Sequence, residues 1–169
     1  IFKLVCEKVD DVVCHIVGRG QPSDVEYINN FIRVNGLEKQ IIYEGFTPNP
    51  QKFLATADVQ LITSTFECFP MSLIEAKQYG IPVVLYDLPY VELIKDQKGI
   101  ISVPQHSIKG AAEAIIGLLL NDSRRQALSL ESQQSLDIFR RNVPSHKQSW
   151  ESLIRKLESS KAPLKNEPD

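Results

Sequence analysis

Two glutamates stand eight residues apart in the segment STFECFPMSLIEAKQYGIPVV, which runs from Ser64 to Val84. Glu67 precedes a predicted helix that begins near Pro70, and Glu75 lies about one turn inside that helix. The first amides of a helix have no intrahelical acceptor, and the helix dipole favours an anion beside them. The segment can therefore bind a phosphate at the helix start, with a carboxylate on each side of it.

The spacing of Glu75 predicts what it binds. It lies four residues beyond Met71, on the same helix face and about 6 Å further along the axis, and its side chain tilts back toward the helix start. Adjacent ribose hydroxyls donate well to a carboxylate. We therefore predict that the free amides of Met71, Ser72 and Leu73 hold a phosphate while Glu75 binds a ribose. Glu67 would meet the group that leaves from the phosphate.

Each glutamate, taken singly, also has an ordinary explanation. An acid just before a helix complements the helix dipole, and a glutamate inside a helix is commonly a solvated surface residue. The two explanations stay open until the flanking residues are considered.

A second candidate site follows the first complete strand, where HIVGRGQPS places Gly18 and Gly20 before a helix. Such a turn lets a phosphate or base approach the backbone, and Glu44 lies about where a dinucleotide fold places its ribose-binding acid. This arrangement would suit a nicotinamide-dependent oxidoreductase. Ser23 occupies the third glycine position, however, and the alternative is a tight turn that needs positive φ. Arg19 would then be solvated, whereas in a phosphate site it supplies positive charge.

The segments that position these residues alternate between the apolar runs of buried strands and the apolar spacing of helices. Apolar runs predict strands at 11–18, 40–46, 58–64, 82–88 and 99–104, and helical spacing predicts helices at 1–9, 22–36, 49–57, 70–79, 89–96, 107–122, 124–141 and 145–160. Ser23 or Asp24 would cap the second helix, and Gly36 would end it.

This alternation predicts the fold. Parallel strands need crossover connections and are buried on both faces. We therefore expect an α/β fold, a Rossmann-like doubly wound parallel sheet of at least five strands with helices on both faces. Ligands bind such sheets beyond the carboxyl ends of the strands, which here are the loops after Val17, Tyr43, Thr63 and Tyr86.

Composition excludes several classes of protein. The chain has 169 residues, 43% of them hydrophobic, which suits one globular domain. Its net charge of −2 and its lack of a basic cluster make nucleic acid an unexpected partner. Three cysteines without CxxC spacing suggest neither disulfides nor zinc and favour a reducing cytoplasm. No apolar run approaches the roughly 18 residues that a membrane span needs.

The domain boundaries follow from the same patterns. Residues 1–160 are predicted to form the domain, and the tail 161–169, which has nothing to bury, is expected to be disordered. The chain begins at Ile1 and its single methionine is Met71, so we expect an excised fragment of a longer protein.

The segment ADVQLITSTFECFPMSLIEAKQYGIPVV resembles the donor-site signature of retaining glycosyltransferases with the GT-B fold, the family 4 or "group 1" transferases. That signature is a strand ending in a small polar residue, then Glu-Gly-Phe, a helix with a second Glu followed by Ala, and Gly-x-Pro-Val-Val. HIVGRG, IIYEGFTPN, GIISVP and SWESLIRKL agree in order and spacing, so the resemblance extends to about residue 157. The matching positions of the signature are Glu67, Phe69, Glu75, Ala76, Gly80, Pro82, Val83 and Val84.

The resemblance implies a donor-binding C-terminal domain of a two-domain enzyme. It implies retaining hexosyl transfer from a UDP- or GDP-linked sugar, with no metal and no other cofactor. By position, Glu67 is the catalytic residue and lies near the transferred carbon, while Glu75 binds the ribose hydroxyls. Backbone amides would hold the sugar hydroxyls and pyrophosphate, and a glycine turn would line the base and phosphate pocket. The donor-binding residues implied are Glu75, Phe69, Met71, Ser72, Gly18, Arg19 and Phe46.

The chain departs from the family pattern in two ways. Cys68 and Pro70 stand where the family often has glycines, so the loop has fewer conformational options and Pro70 offers no amide to the sugar. The family's Arg/Lys pair that clamps the pyrophosphate, the first strand and the acceptor-binding N-terminal domain would all lie before Ile1. We therefore expect the fragment alone to be inactive.

These observations predict the donor-binding half of a retaining glycosyltransferase that moves a sugar from an NDP-sugar to a glycan or lipid-linked acceptor in polysaccharide biosynthesis. The acceptor would bind through the N-terminal domain. The enzyme would be cytoplasmic, at the inner face of the membrane, with peripheral membrane association of the full-length protein. Two alternatives stay open: a non-catalytic nucleotide-sugar-binding module that works with a partner subunit, and an NAD-dependent oxidoreductase domain.

Overall fold

The computed structural model describes residues 1–142 and 146–160. The strands in these ranges are β1 (Cys14–Val17), β2 (Ile41–Gly45), β3 (Gln60–Ile62), β4 (Val83–Tyr86) and β5 (Ile100–Val103). The helices are α1 (Phe2–Cys6), α2 (Pro22–Val34), α3 (Gln51–Leu54), α4 (Met71–Gln78), α5 (Glu92–Lys95), α6 (Ile108–Leu119), α7 (Asp122–Asn142) and α8 (His146–Ser160). The tail 161–169, which the sequence predicts to be disordered, lies outside the described residues.

All strand pairs in the described residues are parallel. β1 pairs with β2, and β4 lies between β3 and β5. The alternation of strands and helices thus confirms the predicted α/β, Rossmann-like fold. It differs from the prediction in one respect: the described strands form a two-stranded and a three-stranded ladder rather than one continuous sheet.

The larger core lies on the three-stranded ladder. Every residue of β4 is buried, as expected for the central strand of a parallel ladder. Helix α6 packs against β4 and β5 through buried residues at helical spacing, which are Ala111, Ala112, Ile115 and Leu118. This core holds the carboxyl ends of β4 and β5 in place.

A smaller core joins α2 to β2. It consists of Ile32, Leu37 and Ile41, each less than a tenth exposed. Helix α2 begins at Pro22 with Gln21 as its N-cap, so the predicted capping by Ser23 or Asp24 is wrong. Pro22 occupies the first helical position, where its missing amide costs nothing, and this moves the helix start ahead of both candidates.

The C-terminal end of α4 and the glycine turns beside it pack against α7. Gly80 and Gly99 both have positive φ, and a Cβ on Gly99 would lie 2.4 Å from the Cα of Ser132 in α7. Lys77 is fully buried beside them, and its Nζ donates to the Lys98 carbonyl at 2.8 Å and to Ser135 Oγ at 2.7 Å. Burial lowers the pKa of Lys77 below its ordinary value, while the charges of nearby acids oppose that shift.

The chain divides into two compact units, Ile1–Leu136 and a second unit that begins at Asp137. In the second unit, α8 is amphipathic, as its sequence predicts, and Trp150, Leu153, Ile154 and Leu157 are its large exposed apolar side chains. Among the described residues, no helix combines the length and apolar character that crossing a bilayer requires.

Candidate functional site

The carboxyl ends of neighbouring strands bring the predicted loops together in pairs. Val17 at the end of β1 is in register with Gly45 at the end of β2. Ile62 at the end of β3 is in register with Leu85 of β4. The loops after β1 and β2 therefore leave together, and so do the loops after β3 and β4.

The loop after β3 carries Glu67, and three contacts hold it. Ser64 Oγ donates to Glu67 Oε1 at 2.7 Å. The Glu67 amide donates to Tyr90 Oη, in the loop after β4, at 3.0 Å. The Phe66 and Tyr90 rings lie 6.0 Å apart between centroids, tilted by 31°. Glu67 is thus a half-buried carboxylate on a loop that is held from the loop after the neighbouring strand β4.

The start of α4 lies at the end of this loop. Pro70 is the N-cap and has extended backbone, so the helix begins at Met71, one residue later than predicted, and no side chain caps it. The Leu73 amide donates to the Pro70 carbonyl at 3.1 Å, so the prediction that it is free is wrong. A tight first turn of the helix pairs this amide with the carbonyl three residues before it. Met71 and Ser72 keep the unpaired amide positions of a helix start, and Phe69 and Met71 are each more than half exposed.

Glu75 lies one turn inside α4, as predicted. Its side chain is half-buried, and it forms no hydrogen bond or ion pair with any other residue in the described part of the chain. The neighbouring Ala76 and Lys77 are fully buried, so Glu75 lies on the boundary between the buried face and the surface. A half-buried carboxylate without a protein partner is available to a donor from a ligand.

The second pair of loops brings Gly18 and Arg19 to Phe46. The Arg19 guanidinium lies 5.3 Å from the centroid of the exposed Phe46 ring, in a cation–π contact. The Gly18 amide donates to the Gly45 carbonyl at 2.8 Å, and Gly18 has a φ of 138°. The predicted association of these residues therefore occurs, and it presents a cation and an aromatic face to solvent.

Tyr43 explains the glycine turn without a ligand. Its hydroxyl donates to the Gly18 carbonyl and accepts from the Gly20 amide, both at 3.1 Å. A Cβ on Gly20 would lie 2.9 Å from Val25 Cγ2. A side chain at position 20 would therefore force Val25 to shift. Positive φ occurs at Gly18 and not at Gly20, so the tight-turn explanation accounts for Gly18.

Glu44 is not free for a ribose. Its Oε1 lies 2.8 Å from His15 Nδ1, and the His15 ring lies 5.1 Å from that of Phe53. A dinucleotide site needs this acid to accept from ribose hydroxyls. The pairing with His15 therefore disfavours the oxidoreductase alternative, and it also satisfies the polar ring of His15.

The hydrogen bonds and ring contacts above lie within two groups, one around Arg19 and Phe46 and one around Glu67 and Tyr90. None of them runs between the groups. Sequence reasoning missed Tyr90, Ser64 and Tyr43 as supports. The available signal was position: all three residues lie at or just after strand ends whose loops the fold rule marks.

In the described residues, no three or more His, Cys, Asp or Glu side chains are grouped so that they could hold a metal ion. Burial raises the pKa of the Cys14 thiol to about 11, so Cys14 stays protonated at neutral pH. Cys68 is exposed on the Glu67 loop and forms no disulfide.

The chain matches a family of known proteins. Residues 1–135 match the family described as "Glycosyl transferases group 1". The chain is 28% identical over 158 residues to the poly(glycerol-phosphate) alpha-glucosyltransferase of Bacillus subtilis, covering 92% of this chain and 23% of that protein. It is 33% identical over 124 residues to the poly(ribitol-phosphate) alpha-N-acetylglucosaminyltransferase of Staphylococcus aureus, covering 72% and 25%.

A solved structure agrees with these relatives. A mutant of Staphylococcus aureus TarM, in complex with fondaparinux, alpha-GlcNAc-glycerol and UDP, superposes with a TM-score of 0.72 at 30% identity. The match covers 79% of this chain and 27% of that one. The chain thus spans about a quarter of the length of the relatives it matches.

Proposed function

Because the chain belongs to the group 1 glycosyl transferases, we propose that it forms the nucleotide-sugar-binding half of a retaining glycosyltransferase. The observation that carries the proposal is the arrangement around α4. The helix has free amide positions at its start, the Glu75 side chain one turn inside it has no partner among the described residues, and Glu67 lies on the loop before it, which Ser64 and Tyr90 hold. These groups suit the parts of an NDP-sugar in the order pyrophosphate, ribose and sugar.

Each donor contact in the proposal has a physical reason. The ribose diol donates to Glu75, whose carboxylate regains in this way the hydrogen bonds that partial burial removed. The pyrophosphate accepts from the amides of Met71 and Ser72, and the amide of Phe69 faces the sugar hydroxyls. The base and phosphates lie beside Gly18, Arg19 and Phe46.

The proposed reaction breaks the bond between the anomeric carbon of the donor sugar and the diphosphate oxygen. A bond from the same carbon to an acceptor hydroxyl oxygen forms with retention of configuration, and the acceptor proton is released. Glu67 lies beside the transferred carbon and stabilises the positive charge that develops there. The amides at the start of α4 stabilise the charge of the departing nucleoside diphosphate, the role that a metal ion has in other transferases.

Polysaccharide biosynthesis is the proposed setting. The relatives are a poly(glycerol-phosphate) alpha-glucosyltransferase and a poly(ribitol-phosphate) alpha-N-acetylglucosaminyltransferase, so each is named for a polymer that it glycosylates. We propose a glycan or lipid-linked acceptor that binds to a further N-terminal domain, and a cytoplasmic location at the inner face of the membrane. The chain without that domain should bind donor but transfer no sugar.

The division of the strands into two ladders supports the proposed domain, residues 1–160 lacking a first strand. Within the described residues, β1 and β3 each have one strand partner. A further parallel strand from residues that precede Ile1 in a longer protein would join the ladders. If so, extending the chain at its N-terminus raises the melting temperature of the domain, and an unchanged melting temperature contradicts the missing strand.

Titration tests the proposed donor. The chain is titrated with UDP, GDP, ADP and NAD by calorimetry, and then with UDP-glucose, UDP-N-acetylglucosamine and GDP-mannose. We expect UDP or GDP to bind with a Kd below that of NAD, and a sugar conjugate to bind at least as tightly as its nucleotide. If NAD raises the melting temperature and neither UDP nor GDP does, the transferase proposal fails and the oxidoreductase alternative replaces it.

A further inference from the structure

The loop that carries Glu67 is exposed and has little packing of its own. Phe66, Cys68 and Phe69 are exposed, and Phe66 is 71% exposed. Burial therefore supplies little of the free energy that holds the loop in one conformation. Specific polar and ring contacts must contribute, and they include those from Ser64 within the loop and from Tyr90 outside it.

Ser64 and Tyr90 hold different parts of Glu67. Ser64 Oγ donates to the carboxylate and limits its rotation. Tyr90 Oη accepts from the backbone amide of Glu67, which lies 23 positions earlier in the sequence. The Tyr90 ring lies beside Phe66. Of these two contacts, the one from Tyr90 ties the backbone of the loop to another element. Without it, Ser64 and Glu67 could move together.

The segment that carries Tyr90 is itself firmly fixed. The Asp87 amide donates to the Val103 carbonyl at 2.8 Å, and Gln105 Nε2 donates to the Asp87 carbonyl at 2.7 Å. Val91, the next residue after Tyr90, is 5% exposed. Tyr90 is therefore an exposed side chain between anchored backbone positions at the end of the buried strand β4.

We propose that Tyr90 is a positioning residue for Glu67: its hydroxyl and ring hold the loop so that the Glu67 carboxylate faces the donor sugar. The role assigned to Tyr90 rests on the proposed function of Glu67. In the part of the chain that the structure describes, Tyr90 forms no hydrogen bond or ring contact with Glu75, Met71 or Ser72. Its loss should therefore reduce recognition of the sugar, and sugar transfer by the complete enzyme, while leaving nucleotide binding intact.

Tyr90→Phe separates the hydroxyl from the ring, and Tyr90→Ala removes both. The matched control is Tyr27→Phe, because Tyr27 is 71% exposed on α2 and its hydroxyl bonds to no other described residue. The first measurement is hydrogen exchange of the Glu67 amide by NMR in the chain without ligand. Loss of one exposed hydrogen bond should raise the exchange rate about fivefold in Tyr90→Phe, and Tyr27→Phe should leave it unchanged.

The second measurement is the ratio of the Kd for UDP to the Kd for UDP-glucose or UDP-N-acetylglucosamine. In Tyr90→Phe the ratio should fall by about three- to tenfold, with the Kd for UDP altered less than about twofold. A purely structural role would change both constants together. An unchanged exchange rate at Glu67, or an equal loss of UDP and UDP-sugar binding, overturns the assignment of Tyr90.

Failure of the proposed function gives a different result. The Glu67 amide could exchange faster in Tyr90→Phe while the unaltered chain binds neither UDP nor either UDP-sugar. In that case the hydrogen bond between Tyr90 and Glu67 exists and the proposed donor is wrong. The role of Tyr90 in facing Glu67 toward that donor is then overturned with it.

Discussion

The two ends of α4 differ sharply in how they are held. At its C-terminal end, Lys77 is inaccessible to solvent and Gly80 and Gly99 pack against α7, while Gln78 and Tyr79 are exposed. Its N-terminal end is exposed at Phe69 and Met71, has no side-chain cap, and follows a loop held by a few polar and ring contacts. A single helix eight residues long thus joins the core to the candidate site.

This difference separates stability from binding along one helix. Changes near the C-terminal end should unfold the chain because they disturb close packing. Changes to the exposed side chains near the N-terminal end should weaken ligand binding at little cost to the fold, because those side chains bury little surface, whereas Leu73 in the same turn belongs to the core. Glu75 lies between the two ends and is the residue at which the distinction is most sharply tested.

The largest expected effect is on stability, from Gly99→Ala. A Cβ there lies 2.4 Å from backbone of α7, and φ is +69°. We expect a loss of at least about 3 kcal/mol in the free energy of unfolding, measured by urea denaturation. Gly36→Ala is the control, because Gly36 has φ +65° with no atom within 4 Å of its Cβ position, and it should cost only about 1 kcal/mol. Equal losses of unfolding free energy in both variants would show that α7 moves away from the added Cβ at little cost.

The next effect is on binding, from Glu75→Ala. A charge-assisted hydrogen bond to the ribose would be lost, so the Kd for UDP or GDP should rise about 10- to 100-fold by calorimetry. The free energy of unfolding should change by less than about 1 kcal/mol, since the Glu75 side chain has no protein partner in the described residues. An unchanged Kd removes the ribose assignment.

Glu113→Ala is the matched control for that measurement. Glu113 is an exposed glutamate on α6 whose ion pair with Lys109 spans one helical turn at 3.7 Å. This pair contributes little to stability, and α6 lies outside the candidate site. The Kd for UDP or GDP should therefore stay at its original value in Glu113→Ala.

A smaller effect is the pH dependence that Lys77 adds to stability. Its folded-state pKa is lowered from 10.5, so between the lowered value and 10.5 the unfolded chain binds more protons than the folded one. Stability from this group therefore rises with pH across that window. We expect the difference in unfolding free energy between the original chain and Lys77→Met to rise as pH approaches 10.5. The nearby acids Asp96 and Glu131 oppose the shift, and a flat difference would mean that they cancel it.

The smallest expected effect is that of Ser64→Ala. It removes one hydrogen bond to the Glu67 carboxylate, and the loop backbone stays tied to Tyr90. The free energy of unfolding should change by about 1 kcal/mol or less, and the Kd for a UDP-sugar should rise only a few-fold by calorimetry. A loss of stability as large as that of Gly99→Ala would contradict the contrast between the two ends of α4.

Local patterns predicted most of the fold. The apolar runs of β4 and β5 and the helical spacing of α6 were readable because each element buries a face set by its own period. Boundaries were less accurate. Helix α2 starts at Pro22 as predicted, but its N-cap is Gln21 rather than Ser23 or Asp24, because Pro22 suits the first helical position. Helix α4 starts at Met71, one residue after its predicted start, because Pro70 has extended backbone.

The candidate site was predictable only where its residues are close in sequence. Glu67 and Glu75 belong to one loop and one helix, so helical geometry related them directly. The pairing of Glu44 with His15 depends on the register of β1 and β2, which no local pattern specifies, and it removed the acid that a dinucleotide site would need.

The sequence by itself determined the type of each element, the place of both glutamates relative to α4, and the family resemblance, because all of these depend on spacing along the chain. Only the tertiary structure decided which side chains support the site. Tyr90 reaches Glu67 because parallel pairing of β3 with β4 brings their following loops to one edge. Such contacts join residues far apart in sequence, and their geometry exists only once the strands have paired.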